Sequence, residues 1–96
     1  METINELLWL DIGEVSYIVI NSKFQIEIDI VRIRLLIKEW NEILDNFNDI
    51  QDLYLELNRY ITNKFLNSHM LIDGNKRMHR GLSLLILENI KINDLL

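Results

Sequence analysis

From about residue 29 onward the apolar positions of this chain recur at helical steps. Ile30, Ile33, Ile37, Trp40, Leu44 and Phe47 fall three and four apart, which lines one face of a helix. Leu53, Leu57, Ile61 and Phe65 repeat the pattern, and Met78, Leu82, Leu85, Ile86 and Ile90 repeat it again. Polar residues punctuate these stripes. Asp29 is a candidate cap for the first helix, and Asn46-Phe47-Asn48 closes it. Asn48 or Asp49 opens the second, with Gln51 three residues after Asn48 in capping-box position. Asn67-Ser68 ends that helix, and Gly74-Asn75 stands before the third.

The N-terminal third has other periods. Thr3-Ile4-Asn5-Glu6 has the form of a capping box ahead of Leu7 and Leu8, and Gly13 is a natural stop, which predicts a short helix over about 3–11. Over 15–28 the spacing changes to two: Phe24, Ile26 and Ile28 alternate with Gln25, Glu27 and Asp29. Val15 to Ile20 is a β-branched and aromatic run, with Asn21-Ser22-Lys23 as a turn after it. The pattern predicts a β-hairpin at 15–28 on a mainly α, single compact domain covering 1–96.

At 49% apolar residues the chain can build a core, and without cysteine it holds neither disulfides nor thiolate metal sites. No apolar run approaches the roughly 18 residues of a membrane span, and the acidic start Met1-Glu2-Thr3 is unlike a signal peptide. A soluble cytoplasmic protein is expected. The net charge of −5 speaks against general nucleic-acid binding, as does the lack of basic–aromatic interleaving. The charge is unevenly spread. Residues 59–80 hold Arg59, Lys64, Lys76, Arg77 and Arg80 against Asp73 alone, a local excess of four positive charges. A basic island on an acidic body suits a compact anion such as a nucleotide phosphate.

The chemistry gathers in His69-Met70-Leu71-Ile72-Asp73-Gly74-Asn75-Lys76-Arg77-Met78-His79-Arg80. Gly74-Asn75 ahead of a helix lets backbone N–H groups form an anion nest at the positive end of the helix dipole. Arg77 and Arg80 are three apart and share a face, so two guanidinium forks can hold several phosphate oxygens. Cations at a helix N-terminus are unfavourable until an anion joins them. His69, an imidazole at the start of the stretch, is a candidate general base for a hydroxyl. Asp73 is a candidate Mg²⁺ ligand, since that ion commonly takes one or two carboxylates together with phosphate oxygens. His79 has no matching role and reads as a surface or packing residue, with Leu71 and Ile72 as core anchors. Glu42, Asp45, Asp49 and Asp52 read as a solvated face.

These residues resemble the Fic/Doc signature H-x-F-x-D-G-N-(G or K)-R-x-x-R, with His69, Asp73, Gly74, Asn75, Lys76, Arg77 and Arg80 in register and Leu71 in place of phenylalanine. The resemblance covers about residues 13–90. It implies a catalytic loop at 67–77, the hairpin at 15–28 as a flap that aligns a target segment by strand addition, and a tryptophan-bearing turn at Lys38-Glu39-Trp40. It implies His69 as base, Asp73 on the metal, and Gly74, Asn75, Lys76, Arg77 and Arg80 on the phosphates, with ATP and Mg²⁺ as cofactors. The family mostly moves AMP from ATP to a protein hydroxyl. Lys76 is the Doc-like choice at its position, and Doc-like members are thought to transfer the γ-phosphate instead. Both branches stay open, as does a Fic-fold module that binds a partner without catalysis. Relatives are often restrained by an inhibitory helix carrying (S/T)-x-x-x-E-(G/N). None of Thr3, Ser16, Ser22, Thr62, Ser68 and Ser83 begins one, so restraint would come from another chain, antitoxin-like or otherwise. Homo-oligomerisation is left open.

Overall fold

The fold, seen in a computed structural model that describes residues 3–19 and 26–91, is built of helices. They are α1 (Ile4–Leu8), α2 (Ile12–Val19), α3 (Ile26–Asn46), α4 (Ile50–Ile61) and α5 (Asn75–Asn89). A π-helical turn (Thr62–Asn67) continues α4 into the loop that precedes α5. Helices α3, α4 and α5 carry the long apolar stripes. The α1–α2 pair packs against both α3 and α5, so the two outer helices are bridged.

The stripes bury as their spacing requires. Ile33, Trp40 and Leu44 of α3, Leu53, Leu57 and Ile61 of α4, Phe65 of the π-turn, and Met78, Leu82 and Ile86 of α5 form one core with Leu8, Leu10 and Val15. Full burial of such side chains contributes roughly 1.5–3 kcal/mol each. Trp40, enclosed in mid-helix, donates its indole N–H to the Leu8 carbonyl at 2.7 Å, which satisfies its one polar atom. Lys38-Glu39-Trp40 is therefore helix, not a turn.

Caps set the boundaries. The Thr3 hydroxyl accepts from the Glu6 N–H at 3.2 Å and starts α1. The Asp49 carboxylate accepts from the Asp52 N–H at 3.2 Å and starts α4, as the sequence predicts. At the N-terminus the helix expected over about 3–11 ends at Leu8, and a second helix, α2, follows it. The chain leaves α1 at Trp9, and Asp11 accepts from the Glu14 N–H at 2.9 Å to begin α2. Gly13 is no stop. It lies inside α2, where a Cβ would come within 3.3 Å of the capping Asp11 Oδ1.

The hairpin at 15–28 is not found. Residues 15–19 belong to α2 and 26–28 to α3, and no strand occurs among the described residues. The turn at Asn21-Ser22-Lys23, with Ile20, Phe24 and Gln25, lies outside the described residues. The alternation Phe24-Ile26-Ile28 misleads because Ile26, Ile30, Ile33 and Ile37 also sit four and three apart. The helical stripe runs a turn further back than its strongest part, so Asp29 is inside α3 rather than its cap.

Candidate phosphate-binding loop

The loop 68–74 is shaped by what anchors its two ends. Upstream, the Ser68 N–H bonds the Asn63 carbonyl at 2.9 Å, and the Met70 N–H bonds the Lys64 carbonyl at 2.8 Å. These wide closures wrap the end of the π-turn. Between them His69 takes a left-handed conformation, φ 48°, the only non-glycine residue described to do so. Glycine or asparagine ordinarily occupies that place after a helix. A histidine there holds strain of roughly 1–2 kcal/mol, which is the kind of outlier found at functional sites. Its side chain is exposed.

Downstream, Leu71 drops into the core at 3% exposure, where the signature has phenylalanine. Ile72, expected beside it as a second anchor, is instead 67% exposed. Asp73 is exposed, and its Oδ1 accepts from the Gly74 N–H at 2.8 Å, which leaves Oδ2 open to another partner. Gly74 turns left-handed at φ 81° and serves as the cap of α5. Only a residue without a Cβ takes this conformation freely.

This helix start differs from those of α1, α2 and α4. α1, α2 and α4 each have a side-chain oxygen over their first turn. α5 has none, and no acid lies in its first turn. The Met78 N–H finds the Gly74 carbonyl at 2.9 Å, while the N–H groups of Asn75, Lys76 and Arg77 precede any intrahelical acceptor. Lys76, Arg77 and Arg80 lie in the first two turns of the same helix, all exposed and without a carboxylate partner among the described residues. The basic island is accordingly narrower than the sequence suggests. Arg59 pairs with Glu56 at 2.9 Å, and Lys64 with Glu39 at 3.8 Å.

The Asn75 side chain points inward. It is 9% exposed, and its carboxamide bonds both the N–H and the C=O of Leu71. Of the surface and packing readings, His79 takes the second: it is half-buried with Nε2 3.4 Å from the Thr62 hydroxyl, which ties α5 to the π-turn. No group of three or more metal-ligating side chains occurs among the described residues. A single carboxylate with an open oxygen fits Mg²⁺ arriving with phosphate, and does not fit a metal held by protein alone. The π-turn, the strained His69 and the inward Asn75 carry no signal in the sequence.

No helix among the described residues is long and apolar enough to cross a membrane. No family model, curated protein or solved structure matches this chain.

Proposed function

We propose that this chain is a Fic-type transferase that moves AMP from ATP onto a hydroxyl of a target protein. One observation carries the reading: the start of α5, unlike those of α1, α2 and α4, has no capping side chain, bears Lys76, Arg77 and Arg80 in its first two turns, and follows a loop bearing His69 and Asp73. Such a start is an incomplete electrostatic structure that a polyphosphate completes. In the proposed reaction His69 takes the proton of the target hydroxyl, whose oxygen forms a bond to the α-phosphorus. The bond from that phosphorus to the β-phosphate oxygen breaks, and pyrophosphate leaves. Arg77, Arg80 and the N–H groups of Asn75, Lys76 and Arg77 hold the phosphate oxygens and stabilise the growing charge. Asp73 Oδ2 would hold Mg²⁺, which neutralises phosphate charge when bound.

The helical course of residues 15–19 and 26–28 removes the hairpin both as a docking edge for the target and as a ground for preferring AMP. The preference now rests on Arg80 and on Lys76, whose side chain is exposed. Transfer of the γ-phosphate is the second reading, favoured by the lysine itself. A non-catalytic module is weakened by Leu71, which buries as an anchor despite replacing phenylalanine. Mass spectrometry of lysate proteins after incubation with the chain, ATP and Mg²⁺ tests the proposal. An AMP adduct on a Ser, Thr or Tyr hydroxyl is expected, and the absence of any adduct beyond a His69→Ala control overturns it.

A further inference from the structure

We infer that Asn75 is a positioning residue that grips the loop from beneath, not a phosphate ligand, and that this grip sets the affinity of the loop for anions. The inference rests on the phosphate-binding reading above and alters the part Asn75 plays in it. Asn41 and Asn75 are the two buried polar side chains among the described residues, at 8% and 9% exposure. Both do the same thing. Asn41 Oδ1 accepts from the Leu10 N–H and its Nδ2 donates to the Leu10 carbonyl, each at 3.0 Å. Asn75 Oδ1 accepts from the Leu71 N–H at 2.9 Å and its Nδ2 donates to the Leu71 carbonyl at 2.8 Å.

A carboxamide carries an acceptor and a donor side by side, so it can satisfy both backbone groups of one residue. Aspartate lacks the donor at neutral pH, and alanine leaves both backbone groups of a buried residue unpaired. The two clamps differ in what they close. Asn41 joins α3 to the α1–α2 connection across 31 residues, so it holds elements of the fold together. Asn75 reaches back only four residues, from the first residue of α5 to Leu71, and the loop it closes contains Asp73 and Gly74. Its job is local: it fixes the Asp73 carboxylate and the open N–H groups of α5 relative to each other and to the core. Contact with phosphate at position 75 is left to the backbone N–H.

The pair supplies its own control. Asn41→Ala and Asn75→Ala are compared with wild type by thermal unfolding, by amide hydrogen exchange without ligand, and by calorimetric titration with Mg-ATP and with pyrophosphate, at a temperature where all are folded. Asn41→Ala is expected to lower Tm yet bind both anions within about two-fold of wild type, as a structural residue should. Asn75→Ala is expected to lose protection at the Leu71 amide and to bind both anions roughly ten-fold more weakly. The salt dependence should stay unchanged, because no charge is removed. Wild-type affinity in folded Asn75→Ala, or retained Leu71 protection in that variant, overturns the inference. Should Asn75→Ala not fold, the wild-type protein decides: the Leu71 amide must exchange as slowly as core amides of α5, and exchange at the rate of an exposed loop overturns the clamp. A wild-type chain that binds neither anion refutes the phosphate-binding reading and the affinity claim with it, while the exchange data still judge the clamp separately.

Discussion

Replacing His69 by glycine should leave the fold as stable as wild type or more so, while abolishing transfer. The residue stands at φ 48°, where a Cβ costs roughly 1–2 kcal/mol and glycine costs nothing. Glycine also gains freedom in the unfolded chain, which lowers stability by about 0.4–1 kcal/mol. The exposed imidazole buries little surface, so little packing is lost. The balance runs from about zero to 1.5 kcal/mol in favour of glycine, a rise in Tm of up to several degrees for a domain this small. Alanine keeps the Cβ and the strain, so His69→Ala should stay within about 0.5 kcal/mol of wild type. Far-UV circular dichroism on heating gives the stability order, and transfer of label from ATP gives the activity. A His69→Gly variant that lost more than about 2 kcal/mol would show that the imidazole braces the loop. Undiminished transfer in either variant would show that another group accepts the proton.

The other predictions follow from burial and charge. Leu71→Ala should cost about 2–5 kcal/mol, since Leu71 is 3% exposed and anchors the loop in the core. A loss below about 1 kcal/mol on urea unfolding would place the loop outside the cooperative unit. Arg80→Ala should weaken Mg-ATP roughly ten-fold at low salt and less at high salt, because an exposed cation acts through screened charge. Equal titrations at low salt contradict this. Burial first, then the neighbouring Glu39 carboxylate, hold the Tyr60 phenol far above its ordinary value of 10.0. A raised phenol contributes stability that is complete below pH 10 and lost as pH rises beyond it. Absorbance in the phenolate band should show Tyr60 ionising only with unfolding, and a Tyr60→Phe variant should lack that late step.

Three helices are legible in the sequence because their stripes are long. Leu53, Leu57, Ile61 and Phe65 span more than three turns, and every one is buried. The segment 15–28 is not, because a short alternation of apolar and polar residues fits a strand and the start of a helix equally well. A better clue lies in Asp11 and Glu14, a cap three residues ahead of its partner, which the adjacent Gly13 obscures. In the candidate site the spacing identifies which residues lie in the loop and the first two turns of α5. It does not say which way they face. Asn75 reads as a ligand in sequence and turns inward because Leu71, once buried, leaves two backbone groups that need partners. The left-handed turn at His69 follows from how the π-turn ends, and nothing in the residue type announces it.

The central claim is that the loop 68–74 and the start of α5 transfer part of ATP to a protein. Feeding the purified chain ATP labelled at the α-phosphate and, in parallel, at the γ-phosphate, with Mg²⁺ and lysate, tests it most directly. The proposal requires protein-bound label from the α position that disappears in His69→Ala. Label retained only from the γ position contradicts AMP transfer, and label from neither contradicts transfer altogether.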